Sequence, residues 1–187
     1  NPDLLNPRLG RGMIAMQTRQ WSDAVRFFEE ARALDAELAG QDMNLGLAYT
    51  ELGQSRNAIL SYRRALRVDP EDVNAMNNLG LLYMDDGDDR AAESVFLDAL
   101  DRRPAFCEAH NNLGLLYRKM GRTEQAAKVF QESLDCRESP LAHRNLAAVL
   151  LTLGRPAEAR KHLEACLAMD PGQKDAAELR RLANSLR

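Results

Sequence analysis

The feature that most constrains this chain is a sequence repeat of 34 residues. The heptapeptide NNLGLLY occupies positions 77–83 and returns, letter for letter, at 111–117. A close variant, MNLGLAY, lies at 43–49, and a weaker one, RNLAAVL, lies at 144–150. A fixed period of this length is typical of chains in which one small helical or strand unit is stacked on the next. The fold must therefore be one that grows by repetition.

Alignment on the recurring Leu-Gly pair divides the chain into five units and a tail. The units span residues 5–38, 39–72, 73–106, 107–139 and 140–173, and the tail spans 174–187. The fourth unit is one residue short, and the missing position falls in its closing turn, CRESP, where connections tolerate changes in length best. We predict one repeat domain over residues 1–187.

Each unit is predicted to form two helices joined by a tight turn. Apolar residues recur at spacings of three and four on both sides of a glycine, which is the helical period. In the second unit these residues are Leu45, Tyr49 and Leu52, followed by Ile59, Tyr62 and Leu66. The glycines at the turns are predicted to end the first helices in a left-handed conformation; they are Gly53, Gly87, Gly121 and Gly154. Because Ala and Leu abound while Val, Ile and Thr are few, we predict an all-α chain.

Small residues also recur where the two helices of a unit should cross. Gly46, Gly80 and Gly114 each lie twelve residues before an alanine, as does Ala147 in the fifth unit. Helices approach closely only where neither carries a bulky side chain. We therefore predict that each glycine faces its alanine; the alanines are Ala58, Ala92, Ala126 and Ala159.

These spacings resemble the tetratricopeptide repeat. A unit reads Leu-Gly-x-x-Tyr, then Gly four residues after the Tyr, Ala five later, an aromatic four further, and Asp-Pro at its end. The resemblance covers nearly the whole chain, and it implies a right-handed superhelical solenoid of antiparallel helix pairs, with residues 174–187 as a C-terminal capping helix. The first unit departs from the pattern at four positions, Arg11, Ala15, Arg19 and Ala36. Such departures suit a terminal unit.

The resemblance further implies that the first helices line a concave groove that binds peptides. One column of groove positions holds an asparagine in every unit from the second to the fifth: Asn44, Asn78, Asn112 and Asn145. Beside this column the family's groove positions are occupied by Asn77 and Asn111, by the apolar residues Met13, Met16, Met43, Leu47, Leu81, Met84 and Leu115, and by the basic residues Arg118 and Arg144.

The asparagine column has two interpretations. Asn is about 0.5 kcal/mol worse than Ala in an exposed helix, so a column of them calls for a reason beyond folding. A carboxamide offers one acceptor and two donors, and a row of them can bind the backbone of an extended peptide whatever its side chains are. Alternatively, duplication copied the motif, and the amides are solvated or bonded to neighbouring helices.

Several classes of function are not supported by the composition. The net charge of −3 and the pI near 5.7 give no basic stripe for nucleic acid. The longest apolar run, 146–151, is far shorter than the roughly 18 residues that a membrane span needs, so we expect a soluble segment. We find no nucleophile with an adjacent base, metal set or phosphate loop, and predict neither enzymatic activity nor a cofactor.

The cysteines and histidines are also predicted to be structural. Cys107, Cys136 and Cys166 contain no C-x-x-C pair, so they do not form a metal motif, and we interpret them as three small buried or half-buried thiols. His110 and His143 are interpreted as histidines of helix surfaces. The compartment stays open, with the cytoplasm slightly favoured. The chain begins without Met, from which we expect a fragment or a processed chain.

The leading functional hypothesis is a non-enzymatic scaffold that holds a peptide or helical segment of a partner protein in the groove. The family's carboxylate clamp for chaperone tails is disfavoured, because Met43, Leu47, Asn77 and Leu81 stand where its lysine and asparagine pair is required. Two alternatives remain: the targeting arm of a larger enzyme, such as a protein glycosyltransferase, and a homo-oligomeric assembly module. Trp21 would anchor the latter if it were exposed rather than part of the core.

Overall fold

The computed structural model describes residues 2–34 and 39–186, and side chains from residue 7 onward within those ranges, except at 39 and 40. The predicted end of the first unit, with Ala36, lies outside them. Every regular element in the described part is an α-helix: α1 (Pro2–Gln17), α2 (Trp21–Arg32), α3 (Ala39–Glu51), α4 (Ser55–Val68), α5 (Val73–Asp86), α6 (Asp89–Arg102), α7 (Cys107–Lys119), α8 (Thr123–Cys136), α9 (Pro140–Thr152), α10 (Pro156–Met169) and α11 (Ala176–Ser185). The all-α prediction is confirmed.

The helices form two compact units, Asn1–Val95 and Phe96–Arg187, here called the N-terminal and C-terminal units. In the N-terminal unit each of α1 to α4 packs against the next helix in the chain. Among the described residues of this unit, one cluster of buried side chains lies around Phe28 and Leu45 and another around Tyr62 and Leu79. In the C-terminal unit α7 packs on α8, α8 on α9, α9 on α10 and α10 on α11.

The predicted left-handed turns are present at the ends of the first helices. The backbone angle φ is +69° at Gly53, +83° at Gly87, +72° at Gly121 and +70° at Gly154. Arg19 holds the corresponding place in the first repeat, and its φ is +56°. The turn therefore keeps its left-handed conformation where the residue is not glycine, although an L side chain is strained there. The departure at Arg19 changes the residue and leaves the turn unchanged.

The predicted partner of the glycines at the helix crossings is corrected by the structure. A Cβ atom added to Gly46 would lie 2.5 Å from Cε1 of Tyr62, and one added to Gly114 would lie 2.6 Å from Cε1 of Phe130. Both rings are fully buried. These glycines thus make room for an aromatic ring, which lies four residues beyond the alanine that we expected. The aromatic ring occupies space between the two helices. That space would be absent if the glycine packed directly against the alanine.

The prediction of three free thiols is wrong for two of them. Cys107 and Cys136 form a disulfide, with their Cα atoms 5.5 Å apart, whereas Cys166 is free and buried as expected. Cys107 is the first residue of α7 and Cys136 is the last residue of α8. Because α7 and α8 form an antiparallel pair, the start of one and the end of the other lie at the same end of the pair. The disulfide therefore joins the two helices of one repeat.

The prediction of surface histidines is also wrong. His143 on α9 is only 8% exposed, and its Nδ1 lies 2.9 Å from Nδ1 of His162 on α10. Nε2 of His110 lies 2.8 Å from the carbonyl oxygen of Pro104, and Nδ1 of the same ring lies 3.5 Å from a carboxylate oxygen of Glu132. Both histidines lie at contacts between helices. The sequence did not show which helix faces are covered by a neighbouring helix, and the faces that carry these histidines are covered.

Acidification below about pH 6.5 is expected to destabilise the C-terminal unit through the His143–His162 pair. Burial lowers the pKa of both rings from 6.5, and the charge of His143 lowers the pKa of His162 further. Glu138 raises the pKa of His143 and Glu158 that of His162, but burial outweighs them. The unfolded chain therefore binds protons at a higher pH than the folded chain does, and the stability present above pH 6.5 is lost as the pH falls.

Urea unfolding at several pH values between about 7 and 5.5 measures this loss, in a range where ordinary carboxylates stay ionised. The double variant His143→Gln with His162→Gln should show a flatter dependence. A variant with the same pH dependence as the unaltered chain would show that the pair does not contribute.

Candidate peptide-binding surface

In the N-terminal unit the structure places two of the predicted asparagines at contacts between helices. Asn44 on α3 is half-buried, and its Nδ2 lies 3.5 Å from the sulfur of Met13 on α1. Asn78 on α5 is also half-buried, and its side chain hydrogen-bonds Tyr62 of α4. Each amide has thus one protein contact, and each retains partial exposure. We call Asn44, Asn78 and Met13, with the apolar residues Met43 and Leu47, the first-helix face.

The hydroxyl of Tyr62 links this face to the core. The ring is fully buried, and the hydroxyl lies 3.5 Å from Oγ1 of Thr50, which itself donates to the carbonyl of Gly46 at 2.8 Å. Burial raises the pKa of Tyr62, while the hydrogen bonds with Thr50 and Asn78 act in the opposite direction. The phenol is therefore neutral at physiological pH, and it orients the amide of Asn78.

The apolar residues predicted beside the asparagines are shared between core and surface. Met43 and Leu47 are half-buried and pack against the cluster that contains Tyr62 and Leu79. Met13 is much more exposed, with 47% of its surface accessible. Leu81, Met84 and Leu115 are half-buried. A ligand on this face would meet the outer parts of side chains whose inner parts are already packed, which favours a pre-formed surface.

In the C-terminal unit part of the predicted site is used within the protein. Asn145 is only 7% exposed and donates from Nδ2 to Oδ1 of Asn111 at 2.9 Å. Arg144 forms an ion pair with Asp175 at 2.8 Å, next to the start of α11. Asn112 is half-buried and Arg118 is exposed.

Burial also removes one predicted residue of the N-terminal unit, since Asn77 is 8% exposed. Two of the predicted amides, Asn77 and Asn145, are thus too buried to meet a ligand without movement. Asn44, Asn78 and Asn112 stay candidates. The contact of Asn145 with Asn111 matches the second interpretation of the asparagine column, in which an amide bonds a neighbouring helix.

Sequence reasoning missed a second surface feature, on α4. Arg63, Arg64 and Arg67 line two adjoining cavities there. The signal was present in the sequence, because α4 contains four arginines and no acidic residue. The resemblance implied a groove on the first helix of each repeat. Because α4 is a second helix, its arginines were not predicted to form a site.

The described residues offer little support for a metal centre or a membrane span. Within residues 2–34 and 39–186, no three His, Cys, Asp or Glu side chains are grouped so that they could hold a metal ion. None of the helices in these ranges combines the length with the hydropathy that crossing a bilayer requires.

Three family models match the chain, and together they cover most of it. The model described as TPR repeat matches residues 46–87, and two models described as tetratricopeptide repeat match residues 73–103 and 111–174. With the eleven described helices and the turn geometry, these matches show that the chain belongs to the tetratricopeptide repeat family. Members of this family are typically non-catalytic scaffolds for protein–protein interaction.

Solved structures with the same fold span almost the full chain. The crystal structure of MamA protein is 19% identical, with a TM-score of 0.82 over 95% of this chain and 96% of that one. The structure of pilF from Pseudomonas aeruginosa is 22% identical, with a TM-score of 0.81 over 99% of this chain and 89% of that one. YrrB, described as a TPR protein with an unusual peptide-binding site, is 17% identical, with a TM-score of 0.75 over 95% and 92%.

At these identities the similarity concerns the fold alone. Among curated protein sequences, none is similar enough to this chain to count as a match.

Proposed function

We propose that this protein is a non-catalytic scaffold that binds an extended segment of a partner protein along the first helices of its N-terminal unit, α1, α3 and α5. The observation that carries the proposal is the half-buried state of Asn44 and Asn78 on successive first helices. Both amides are held by contacts to the protein, and both keep donors or acceptors for a ligand.

Backbone recognition suits this arrangement. An extended peptide presents N–H and C=O groups at regular intervals, and carboxamides bind both kinds of group. The amides of Asn44 and Asn78 are oriented by Met13 and Tyr62, so little rotamer freedom remains to be lost on binding. The apolar parts of Met13 and Leu47 would then contact the side chains of the peptide. Contacts of this kind should let the surface bind peptides of varied sequence, each with modest affinity.

The test is a peptide titration with paired variants. A twelve-residue peptide selected on the immobilised chain from a random displayed library, then labelled with fluorescein, is titrated by fluorescence anisotropy. Asn44→Ala with Asn78→Ala is expected to weaken the affinity about tenfold or more, since each lost hydrogen bond costs about 0.5–1.5 kcal/mol. Asn57→Ala is the matched control, because Asn57 is an exposed asparagine on α4.

A further variant separates binding from structure. Tyr62→Phe removes the hydrogen bond to Asn78 and leaves both amides in place. It should weaken binding less than the double alanine variant does. If the double variant binds within about twofold of the unaltered chain, or if Asn57→Ala weakens binding equally, the first-helix face is not the site.

A further inference from the structure

Helix α4 carries an unusual concentration of positive charge. Its fourteen residues include Arg56, Arg63, Arg64 and Arg67 and no acidic residue, in a chain whose net charge is −3. Leu60 lies three or four residues from Arg56, Arg63 and Arg64, and Val68 lies four residues from Arg64, a spacing that places side chains on one side of a helix. Leu60 is 49% exposed and Val68 is 48% exposed. One side of α4 thus offers both arginines and apolar side chains to solvent.

Two adjoining cavities lie along this side of α4. The first, of about 600 Å³, lies between α2, the start of α3 and α4 and is lined by Glu29, Arg32, Ala33, Asp42, Arg64, Arg67 and Val68. The second, of about 490 Å³, is lined by Leu60, Arg63, Arg64 and Arg67. Because Arg64 and Arg67 line both, the two cavities form one depression. We call its α4 residues, Leu60, Arg63, Arg64, Arg67 and Val68, the arginine face.

No residue in the described ranges 2–34 and 39–186 engages the guanidinium groups of this face. Among the described residues, the side chains of Arg63, Arg64 and Arg67 have neither an ion-pair partner nor a hydrogen-bond partner, whereas Arg32 pairs with Glu29. The described lining of the depression thus carries four arginines and two carboxylates. Unpaired arginines on one surface attract carboxylates. Such charges affect the association rate and the specificity of partner binding more than the binding affinity.

The floor of the first cavity holds a buried acceptor without a donor. Asp42 is only 3% exposed, and its Oδ1 receives no hydrogen bond from any described residue. Burial raises the pKa of this carboxyl, and the charges of Arg32 and Arg67 act in the opposite direction. A buried acceptor is costly unless it receives a hydrogen bond. Because Oδ1 is covered by the protein, this carboxyl contributes charge beneath the depression and no contact point for a ligand.

We propose that the arginine face binds an acidic segment of a partner protein that also carries apolar residues. Carboxylates of the segment pair with Arg63, Arg64 and Arg67, and its apolar side chains pack on Leu60 and Val68. The arginine face lies on α4, a second helix, and shares no residue with the first-helix face, so it does not depend on the function proposed above.

The same observations disfavour nucleic acids and lipid head groups as the occupant. A nucleic acid strand carries no aliphatic side chains to cover Leu60 and Val68, which are exposed beside the arginines. A bilayer is flat on this scale and would not enter a depression. A polypeptide supplies carboxylates and apolar side chains together.

The test uses the full chain and a defined probe. A fluorescein-labelled twelve-residue peptide with blocked ends, built of Glu and Leu, is titrated by anisotropy beside the same peptide with Gln in place of Glu. We expect the Glu peptide to bind at least about tenfold more tightly, and the difference to shrink between about 50 and 500 mM NaCl because salt screens such pairs. Equal binding of the two peptides would overturn the proposal.

Paired variants locate the site. Arg64→Ala with Arg67→Ala should weaken binding of the Glu peptide about tenfold or more. Arg56→Ala with Arg90→Ala is the matched control, because it removes the same charge from exposed positions that line neither cavity, and it should change binding less than about threefold. An equal loss in both double variants would show general charge attraction and overturn the proposal.

Three further measurements distinguish the occupants. Asn44→Ala with Asn78→Ala should leave binding of the Glu peptide unchanged, so that this proposal and the previous one can fail separately. A single-stranded oligonucleotide, or vesicles of phosphatidylserine, bound more tightly than the peptide through Arg64 and Arg67 would overturn the choice of a protein partner. Self-association of the chain that is lost in the Arg64 and Arg67 variant would identify a second copy as the occupant and overturn it equally.

Discussion

Reduction of the Cys107–Cys136 disulfide is expected to lower the free energy of unfolding of the C-terminal unit by about 2–4 kcal/mol. The cross-link joins residues 29 positions apart and restricts the unfolded chain over that length. Breaking it returns this conformational freedom to the unfolded state, which is the main route by which a disulfide stabilises a fold. The loss is a substantial part of the stability of a small domain.

The unit should weaken on reduction rather than unfold, because other contacts join the same helix ends. Ser133 on α8 donates to the carbonyl of Cys107 at 3.0 Å, and Arg137 forms an ion pair with Glu108 at 2.5 Å. The hydrogen bond from Arg137 lowers the pKa of Glu108, so this pair stays charged well below neutral pH. These contacts keep the end of α8 beside the start of α7 after the sulfur atoms separate.

Urea unfolding followed by circular dichroism, with and without a phosphine reductant, measures the effect. Hydrogen exchange of the amides in α7 and α8 assigns it to this repeat. The variant Cys107→Ser with Cys136→Ser should match the reduced chain and no longer respond to reductant. Cys166, which is buried and free, stays in every sample as a constant background. Full reduction shown by thiol alkylation, with no shift of the urea midpoint, would contradict the prediction.

Substitution of Gly12 by Ala is expected to destabilise the N-terminal unit by about 1–3 kcal/mol, because the added methyl overpacks the core. A Cβ at Gly12 would lie 2.7 Å from Cε1 of Phe28, whose ring is fully buried and belongs to the core cluster around Leu45. The ring is enclosed by the protein, so the ring or the backbone of α1 must shift to admit the methyl.

The matched control lies two residues earlier on the same helix. A Cβ at Gly10 meets nothing within 4 Å, so Gly10→Ala should raise the stability by about 0.5–1 kcal/mol through helix propensity alone. The two substitutions are chemically identical and are expected to have opposite signs. Thermal unfolding of both variants beside the unaltered chain measures the difference.

A double-mutant cycle attributes the cost at Gly12 to the ring. Phe28→Leu removes the atoms that the new methyl would meet, so Gly12→Ala should cost less in that background than in the unaltered chain. Two results would contradict this: Gly12→Ala lowers the free energy of unfolding equally in both backgrounds, or it raises that free energy in the unaltered chain. Either result would show that contact with the Phe28 ring does not cause the effect of this substitution.

Much of the helical architecture was predictable because it depends on local signals. The period of 34 residues, the apolar spacing and the turn glycines predicted the helices and the left-handed residues that end the first of each pair. The alignment marked Arg19 only as a departure from the pattern, and the structure shows that the left-handed turn persists there. Backbone conformation at such a turn is dictated by the helices on either side, so the turn is kept even when the residue changes.

Contacts between helices were less predictable. The disulfide could have been found, since a cysteine at the start of one helix and another at the end of its antiparallel partner are brought together by the repeat itself. The partners of Gly12 and Gly46 were not, because spacing along the chain does not say whether an alanine or the ring four residues further fills the crossing. That depends on rotamers and on a few tenths of an ångström between helix axes.

The sequence by itself determined the family and the number of helices, and it predicted that the asparagines share one face. Only the tertiary structure decided which of those amides can meet a ligand: Asn145 is closed against Asn111, while Asn44 and Asn78 keep partial exposure. It also brought the arginines of α4 together with Asp42 around one depression. The physical reason is that periodicity assigns a residue to a face, whereas exposure and partners depend on how neighbouring helices cover that face.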